Sequence, residues 1–278
     1  MSTDLTSTDL VRRTRHRLRS RLSEYPALYL PFARRRYPGP SPEVIGPLTE
    51  LVIDGYTRCA STFAVYALQL CQDKPIRLAH HLHAPAQIIA AARAGIPTLV
   101  LIRGPRGAIL SQLVREPGVA LRDALVAYAR FYECLMPYRD RLVVGDFEEV
   151  THDFGSVVRR LNARFGTSYA EFVHSEANVR ECLELIRHRG RLSPTQLGFE
   201  SGLVTRGELR RELADRGRNV SLVDPADAWV PSAERNRSMS DLRERWQRSD
   251  IAERRDRAER AYRAFVTGQV VTGQGVPR

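Results

Sequence analysis

The chain has 278 residues, 43% of them hydrophobic and 27% charged, and a formal charge of +11. That length supplies one sizeable α/β core rather than two, and no apolar run reaches the roughly 20 residues that span a bilayer. The charge favours anionic partners, but Lys74 is the single lysine, and an arginine bias also follows from a GC-rich genome.

In chain order, the start MSTDLTSTDL is polar and acidic rather than basic then apolar, unlike a secretory signal. The four cysteines, Cys59, Cys71, Cys134 and Cys182, form no C-x-x-C pair. Reduced thiols in a cytoplasmic protein are therefore expected. Residues 1–46 read as a basic N-terminal extension, with a helix over Leu10–Leu22, the run Arg34–Arg36 and then a Pro-rich stretch. A solvated face plus linker is one reading, and weak contact with an anionic membrane surface is the other. Residues 47–270 read as a single α/β domain. LVIDGY from Leu51 is a buried strand, and Ser61–Leu70 a helix. A short strand over Ile76–Leu78 precedes a helix over Pro85–Ala94. Thr98–Ile102 is the clearest strand, with helices following at about 105–115 and 120–137. Leu142–Val144 is a further strand, and helices cover about 154–166 and 169–187. After Arg189 the chain turns polar, with helices expected near 205–216 and 232–265. Strands alternating with helices imply three layers, a central parallel sheet with helices on both faces, and a helical C-terminal part.

Three stretches carry chemistry. Asp54-Gly55-Tyr56-Thr57-Arg58-Cys59-Ala60-Ser61-Thr62-Phe63 joins a strand to a helix. Such a loop aims backbone N–H groups and a helix N-terminus at one point, a ready anion site. Taken alone it also reads as an ordinary turn with Ser61 as N-cap. It lacks the G-K-[ST] ending of a nucleoside triphosphate loop, which disfavours a P-loop kinase or NTPase. The second stretch, Arg103 to Ser111, follows TLVLI directly, so Arg103 sits at the carboxyl end of a central strand, where open α/β sheets bind ligands. Taken alone it also reads as a surface turn. The third holds His80, His81 and His83 between a strand and a helix. A zinc site is a poor match because no cysteine or acidic partner is near; polar loop histidines without a role are the plainer alternative.

The first two stretches together resemble the PAPS-dependent sulfotransferases (PAPS is 3′-phosphoadenosine-5′-phosphosulfate), with a P-loop-like fold and closest in pattern to the bacterial and carbohydrate-directed branch. The family's loop Lys/Arg-Ser-Gly-Thr-Thr/Ser is similar to Arg58-Cys59-Ala60-Ser61-Thr62, and its Arg-x-Pro with a Ser eight places after the Arg is similar to Arg103, Pro105 and Ser111. The likeness covers roughly 50–187 and includes the later Leu142–Glu149 and Val157–Gly166. It implies that Arg58, Cys59, Ala60, Ser61, Thr62 and Phe63 hold the 5′-phosphosulfate, and that Arg103 and Ser111 hold the 3′-phosphate. It implies a histidine general base, His81 by the His-Leu register, then His83, then His80, with Arg58 stabilising the leaving group. Arg235 would reach over the nucleotide, as basic C-terminal residues do in the family; a helix start capped by Ser232 is the alternative. No metal is implied. Cys59 and Ala60 depart from the family's Ser and Gly, and alanine requires a negative φ at that place. The implied reaction moves a sulfuryl group from PAPS to a hydroxyl or amine of an acceptor, a small molecule or a glycan such as a carbohydrate or glycolipid. Acceptor loops are expected at 84–96, 115–122 and 188–230, and no nucleic-acid partner is expected. A non-catalytic polyanion binder is the reading from another class. Asp153-Phe154-Gly155 spells a kinase triplet without the rest of a kinase, and Arg254–Arg263 is a solvated helix face.

Overall fold

The computed structural model describes residues 7–37, 44–187, 189, 193–215 and 240–269. Four apolar segments lie side by side as parallel strands in the order β2-β1-β3-β4: β1 (Leu51–Gly55), β2 (Leu78–His80), β3 (Thr98–Ile102) and β4 (Val143–Asp146). The register runs Leu51↔Leu78, Val52↔Thr98 and Leu99↔Val143. Strands β1 and β3 are buried throughout, which explains their unbroken apolar runs: a parallel sheet covered on both faces has no polar side. Gly55 lets β1 and β3 approach; a Cβ there would stand 2.1 Å from the Leu101 carbonyl oxygen.

Helix α3 (Ser61–Cys71) joins β1 to β2, and α4 (Pro85–Ala94) joins β2 to β3. Side chains alternate across the sheet. Val52 and Ala79 join α4 in one cluster, whereas Leu51, Ile53 and Leu78 belong to the main core with α3. Helices α5 (Pro105–Arg115) and α6 (Leu121–Glu133) join β3 to β4. The three-layer α/β architecture read from the sequence is the one observed.

Within the N-terminal extension two helices form, α1 (Ser7–Leu22) and α2 (Pro26–Arg36), while most of the Pro-rich stretch, 38–43, lies outside the described residues. Helix α1 packs on α6 and α2 on α4, with Tyr29, Leu30, Ala33, Val44 and Ile45 buried. Several boundaries move for identifiable reasons. Strand β2 begins at Leu78 rather than Ile76, because the backbone N–H and carbonyl of Ile76 are both taken by the Gln69 amide. Helix α6 ends at Glu133, and a 3-10 turn over Met136–Arg141 leads into β4. A short helix α7 (Phe147–His152) precedes α8 (Phe154–Phe165). The helix expected from residue 169 starts later, as α9 (Glu176–Arg187), because side chains of Asn162 and Gln72 occupy the backbone groups of Tyr169 and Ala170. Helix α10 (Pro194–Ser201) was not expected, although Ser193 and Gln196 form a capping box ahead of it. Helix α11 (Arg206–Asp215) agrees with the sequence reading. Of the long helix expected near 232–265, the part before residue 240 lies outside the described residues, and the rest is α12 (Ser240–Trp246) and α13 (Ala252–Thr267), parted by a 3-10 turn over Ser249–Ile251. Helix α13 packs along α6. No described helix is long and apolar enough to cross a membrane.

Candidate functional site

The strand order decides where a ligand can sit. From β1 the chain turns to β2 on one side, while β3 lies on the other. The loops leaving the carboxyl ends of β1 and β3 therefore diverge, and the gap between them is the binding crevice of an open parallel sheet. A cavity of about 650 Å³ opens there, within the range of small-molecule sites. Arg58, Ala60, Ser61, Thr62, Phe63, His81, His83, Arg103 and Ser111 all line it. Residues 53 positions apart meet in it: Arg58 Nε donates to Ser111 Oγ at 3.0 Å.

The β1 loop is built by backbone conformation. Arg58 has φ of 69° and Ala60 of 66°, so the expected negative φ at Ala60 is not found; Ala60 is left-handed and caps α3 without a side chain. Ser61 is the first residue of α3 rather than its cap, and its Oγ is buried with no protein partner among the described residues. Ala60, not Gly, thus makes the turn into α3, whose first residues Ser61, Thr62 and Phe63 line the cavity. Cys59 is the exception in this loop. Its thiol is fully buried against the Tyr132 hydroxyl at 3.6 Å, and burial pushes it up to about 12, so its side chain does not reach the cavity.

The β3 loop is held from below. Tyr132 donates to the Leu101 carbonyl at 2.9 Å and Tyr128 to that of Arg103 at 2.5 Å. The Arg103 guanidinium stacks on Phe147, 3.8 Å from the ring centre, and also donates to the Arg58 carbonyl at 3.4 Å. A Cβ at Gly107 would stand 2.8 Å from Arg103 Nε, so this glycine lets the side chain lie along the first turn of α5. Among the described residues four guanidinium groups line the cavity, those of Arg58, Arg103, Arg115 and Arg189, against the one carboxylate of Glu116. The site is built for anions.

The histidine loop contains the other two left-handed non-glycine residues of the described chain, His81 (φ 58°) and His83 (φ 51°). Such strain costs on the order of 1–3 kcal/mol per residue and collects at functional sites. The two rings differ. His81 Nε2 lies 3.0 Å from Thr62 Oγ1, and its Nδ1 lies 2.5 Å from His80 Nδ1. Both its ring nitrogens are engaged within the protein. His83 Nδ1 donates to the Gly55 carbonyl at 2.9 Å, which fixes the tautomer and leaves Nε2 unprotonated. Burial lowers His83 to about 4; the Gly55 bond, next in size, opposes it, and the charges of Arg19, Arg58 and Arg189 add to the lowering. Burial likewise takes His81 well below its ordinary value. Asp54, fully buried at the end of β1, accepts from the backbone N–H groups of His83 and Gly55 and from the Gln87 amide. Burial pushes its carboxyl up to about 7. An acid inside the apolar run LVIDGY was the sequence signal for this anchor.

Two further residues had no such signal. Glu200, wholly buried on α10, pairs with Arg189 through both oxygens at 2.5 and 2.9 Å. His80, His81 and Glu200 stand close enough to hold a cation, but a metal would have to displace that guanidinium from the only carboxylate of the set. Of the three stretches expected to form acceptor loops, 84–96 is largely α4 and does not line the cavity, 115–122 contributes Arg115 and Glu116, and 188–230 contributes Arg189 and lies in part outside the described residues; Val179, Leu183 and Ile186 of α9 line the cavity as well. Arg235 lies outside the described residues.

Fold and cavity define an α/β protein with an arginine-lined anion pocket at the switch point of a parallel sheet. No family model and no curated protein matches the chain. Among solved structures, the crystal structure of mouse sulfotransferase SULT7A1 complexed with PAP matches over 77% of this chain and 90% of that one, at 11% identity and a TM-score of 0.37. A likeness at that level does not bear on this chain's activity.

Proposed function

We propose that the protein is a sulfotransferase that takes a sulfuryl group from PAPS and passes it to a hydroxyl or amine of a small-molecule or glycan acceptor. The observation that carries the proposal is the meeting of the two motifs in one cavity, Arg58 on Ser111 with Arg103 beside them. Arg58 is directed toward Ser111, so we assign it with Arg103 and Ser111 to the 3′-phosphate, a change from its placement on the phosphosulfate by resemblance. The N–H groups that open α3, with Ser61 Oγ, suit the 5′-phosphosulfate.

The reaction is an in-line displacement at sulfur. The acceptor oxygen or nitrogen forms the new S–O or S–N bond, the bond from sulfur to the bridging oxygen breaks, and adenosine 3′,5′-bisphosphate leaves. Charge builds on that bridging oxygen, where preorganised N–H donors act most strongly. The base is His83 rather than His81, because His83 keeps an unprotonated Nε2 in a cavity-lining ring. The Asp54 carboxyl stands beside the ring that takes the proton, 3.5 Å from Nδ1. His81 positions instead: with His80 Nδ1–H donating to His81 Nδ1, and His81 Nε2–H to Thr62, the Thr62 hydroxyl is free to donate to the sulfuryl group. The α9 side chains Val179, Leu183 and Ile186 give the acceptor an apolar wall.

The test is a thermal melt with nucleotide. Saturation at about 100 times the dissociation constant adds roughly 2.7 kcal/mol, and 3′,5′-ADP is expected to raise the melting temperature while Arg103→Ala weakens the effect. A melt moved only by ATP with magnesium would replace this reading with a kinase. Salt-sensitive polyanion binding indifferent to Arg103→Ala, with no response to 3′,5′-ADP, would replace it with a polyanion binder.

A further inference from the structure

Helices α1 and α2 turn the wrong face outward for a soluble hairpin. The side of α1 that meets α6 is polar: Arg17 Nε donates to Asp123 at 2.9 Å, Arg13 lies 3.7 Å from the same carboxylate, and His16 is lowered by burial there. The turn to α2 is pinned by a bidentate pair, Arg130 to Glu24, at 2.7 Å for both bonds. Helix α2 then buries Tyr29, Leu30 and Ala33. What is left outside is apolar. Val11, Leu18 and Leu22 fall on one stripe of α1, because steps of seven and four residues return to the same side of a helix. Leu28 and Phe32 form the matching i, i+4 pair on α2, with Tyr25 at the bend between the helices. These six side chains are 40–65% exposed, and they are six of the ten exposed large apolar side chains among the described residues.

The surrounding charge is of one sign. Residues 7–37 hold nine arginines against two acids, Asp9 and Glu24, and Glu24 is the one paired with Arg130. Arg15, Arg21, Arg35 and Arg36 are exposed along the same two helices. An apolar stripe bordered by arginines, with an aromatic ring at the bend, has the chemistry of a segment lying in a bilayer interface. A second copy of this chain would set like charges against one another, and a nucleic acid would leave the apolar side chains in water.

We infer that the α1–α2 hairpin docks the protein on an anionic lipid surface, its apolar stripe in the headgroup–acyl boundary and its arginines on lipid phosphates. The inference does not depend on the proposed catalytic function, since none of these side chains lines the cavity. It places the protein on a membrane without a spanning helix among the described residues.

The test is co-sedimentation of the full chain with phosphatidylcholine vesicles, with and without about one third phosphatidylglycerol. Partition is expected on the anionic vesicles only. Each arginine near the surface contributes about fivefold, so Arg15→Gln, Arg21→Gln, Arg35→Gln and Arg36→Gln together should weaken it by about 100-fold or more. Burying a leucine or phenylalanine contributes at least about tenfold, so Leu28→Asp with Phe32→Asp should weaken it by a similar factor. Circular dichroism melts of both variants establish that the fold is kept, and exposed Leu18→Asp with Leu22→Asp provides an independent second pair. Failure of the parent chain to partition would overturn the inference. So would partition unchanged by both apolar pairs, which would mean charge alone binds. Sedimentation equilibrium showing a dimer abolished by Leu28→Asp and Phe32→Asp would name a second copy as the occupant and overturn it too.

Discussion

The choice between two neighbouring histidines is open to a clean perturbation, His83→Asn. Asparagine tolerates the left-handed φ of 51° at this position. Its side-chain amide can donate to the Gly55 carbonyl in place of the imidazole Nδ1, which does so at 2.9 Å. The backbone N–H of residue 83 still reaches Asp54 at 3.1 Å. What disappears is the unprotonated Nε2. Stability should therefore change by no more than about 1 kcal/mol, the scale of one net hydrogen bond. Turnover should fall by about 10²–10⁴, roughly 2.7–5.5 kcal/mol of transition-state stabilisation. His81→Asn removes the contacts to Thr62 and His80, and a misplaced hydroxyl should lower turnover by about tenfold or less. The assay is single-turnover sulfuryl transfer at saturating PAPS with one acceptor for both variants, alongside calorimetry with 3′,5′-ADP. Nucleotide affinity should stay near the parental value in both. If His81→Asn is dead and His83→Asn transfers at the parental rate, engagement of both ring nitrogens does not disqualify a base, and the reasoning from tautomer and contacts is wrong.

Other perturbations probe the loops around the cavity. Ala60→Gly should stabilise the protein, because relief of a left-handed alanine, about 1–2 kcal/mol, exceeds the added chain entropy of glycine, about 0.5–1 kcal/mol; a melting temperature that falls by several degrees would contradict the φ of 66°. Glu200→Ala removes the bidentate carboxylate partner of the buried Arg189 guanidinium and should cost about 3–5 kcal/mol in urea denaturation, whereas the pair Arg189→Met with Glu200→Leu should recover most of it; equal losses in both would mean the pair is not desolvated. His83 is lowered from 6.5 to about 4, so the unfolded chain binds more protons between those values, and stability is present above 6.5 and lost as pH falls toward 4. Asp54, raised to about 7, acts in the opposite sense between 3.8 and 7, which is why the comparison must be against His83→Asn. The parent should lose stability relative to that variant on acidification through this window, and parallel pH curves would show that His83 is not held neutral.

The sequence by itself determined the parts that local pattern controls. Strand β3 stands at Thr98–Ile102 and α4 at Pro85–Ala94, just where runs of β-branched residues and an N-terminal proline placed them. The anion loop after β1 and Arg103 after β3 were legible because a strand end, a turn and a helix start are encoded within about ten consecutive residues. Only the tertiary structure decided which of these parts meet. Arg58 reaches Ser111 because β1 and β3 are neighbours in the sheet while β2 lies on the far side, an order that no local spacing states. Cys59 turns into the core because Tyr132, from a helix 73 residues on, receives it there. His81 and His83 look alike in sequence and part company through their folded neighbours, Thr62 and His80 for His81 and the Gly55 carbonyl for His83. Glu200 gave no signal at all, since the guanidinium that offsets its burial, Arg189, meets it only through the packing of α10 against α3 and β2.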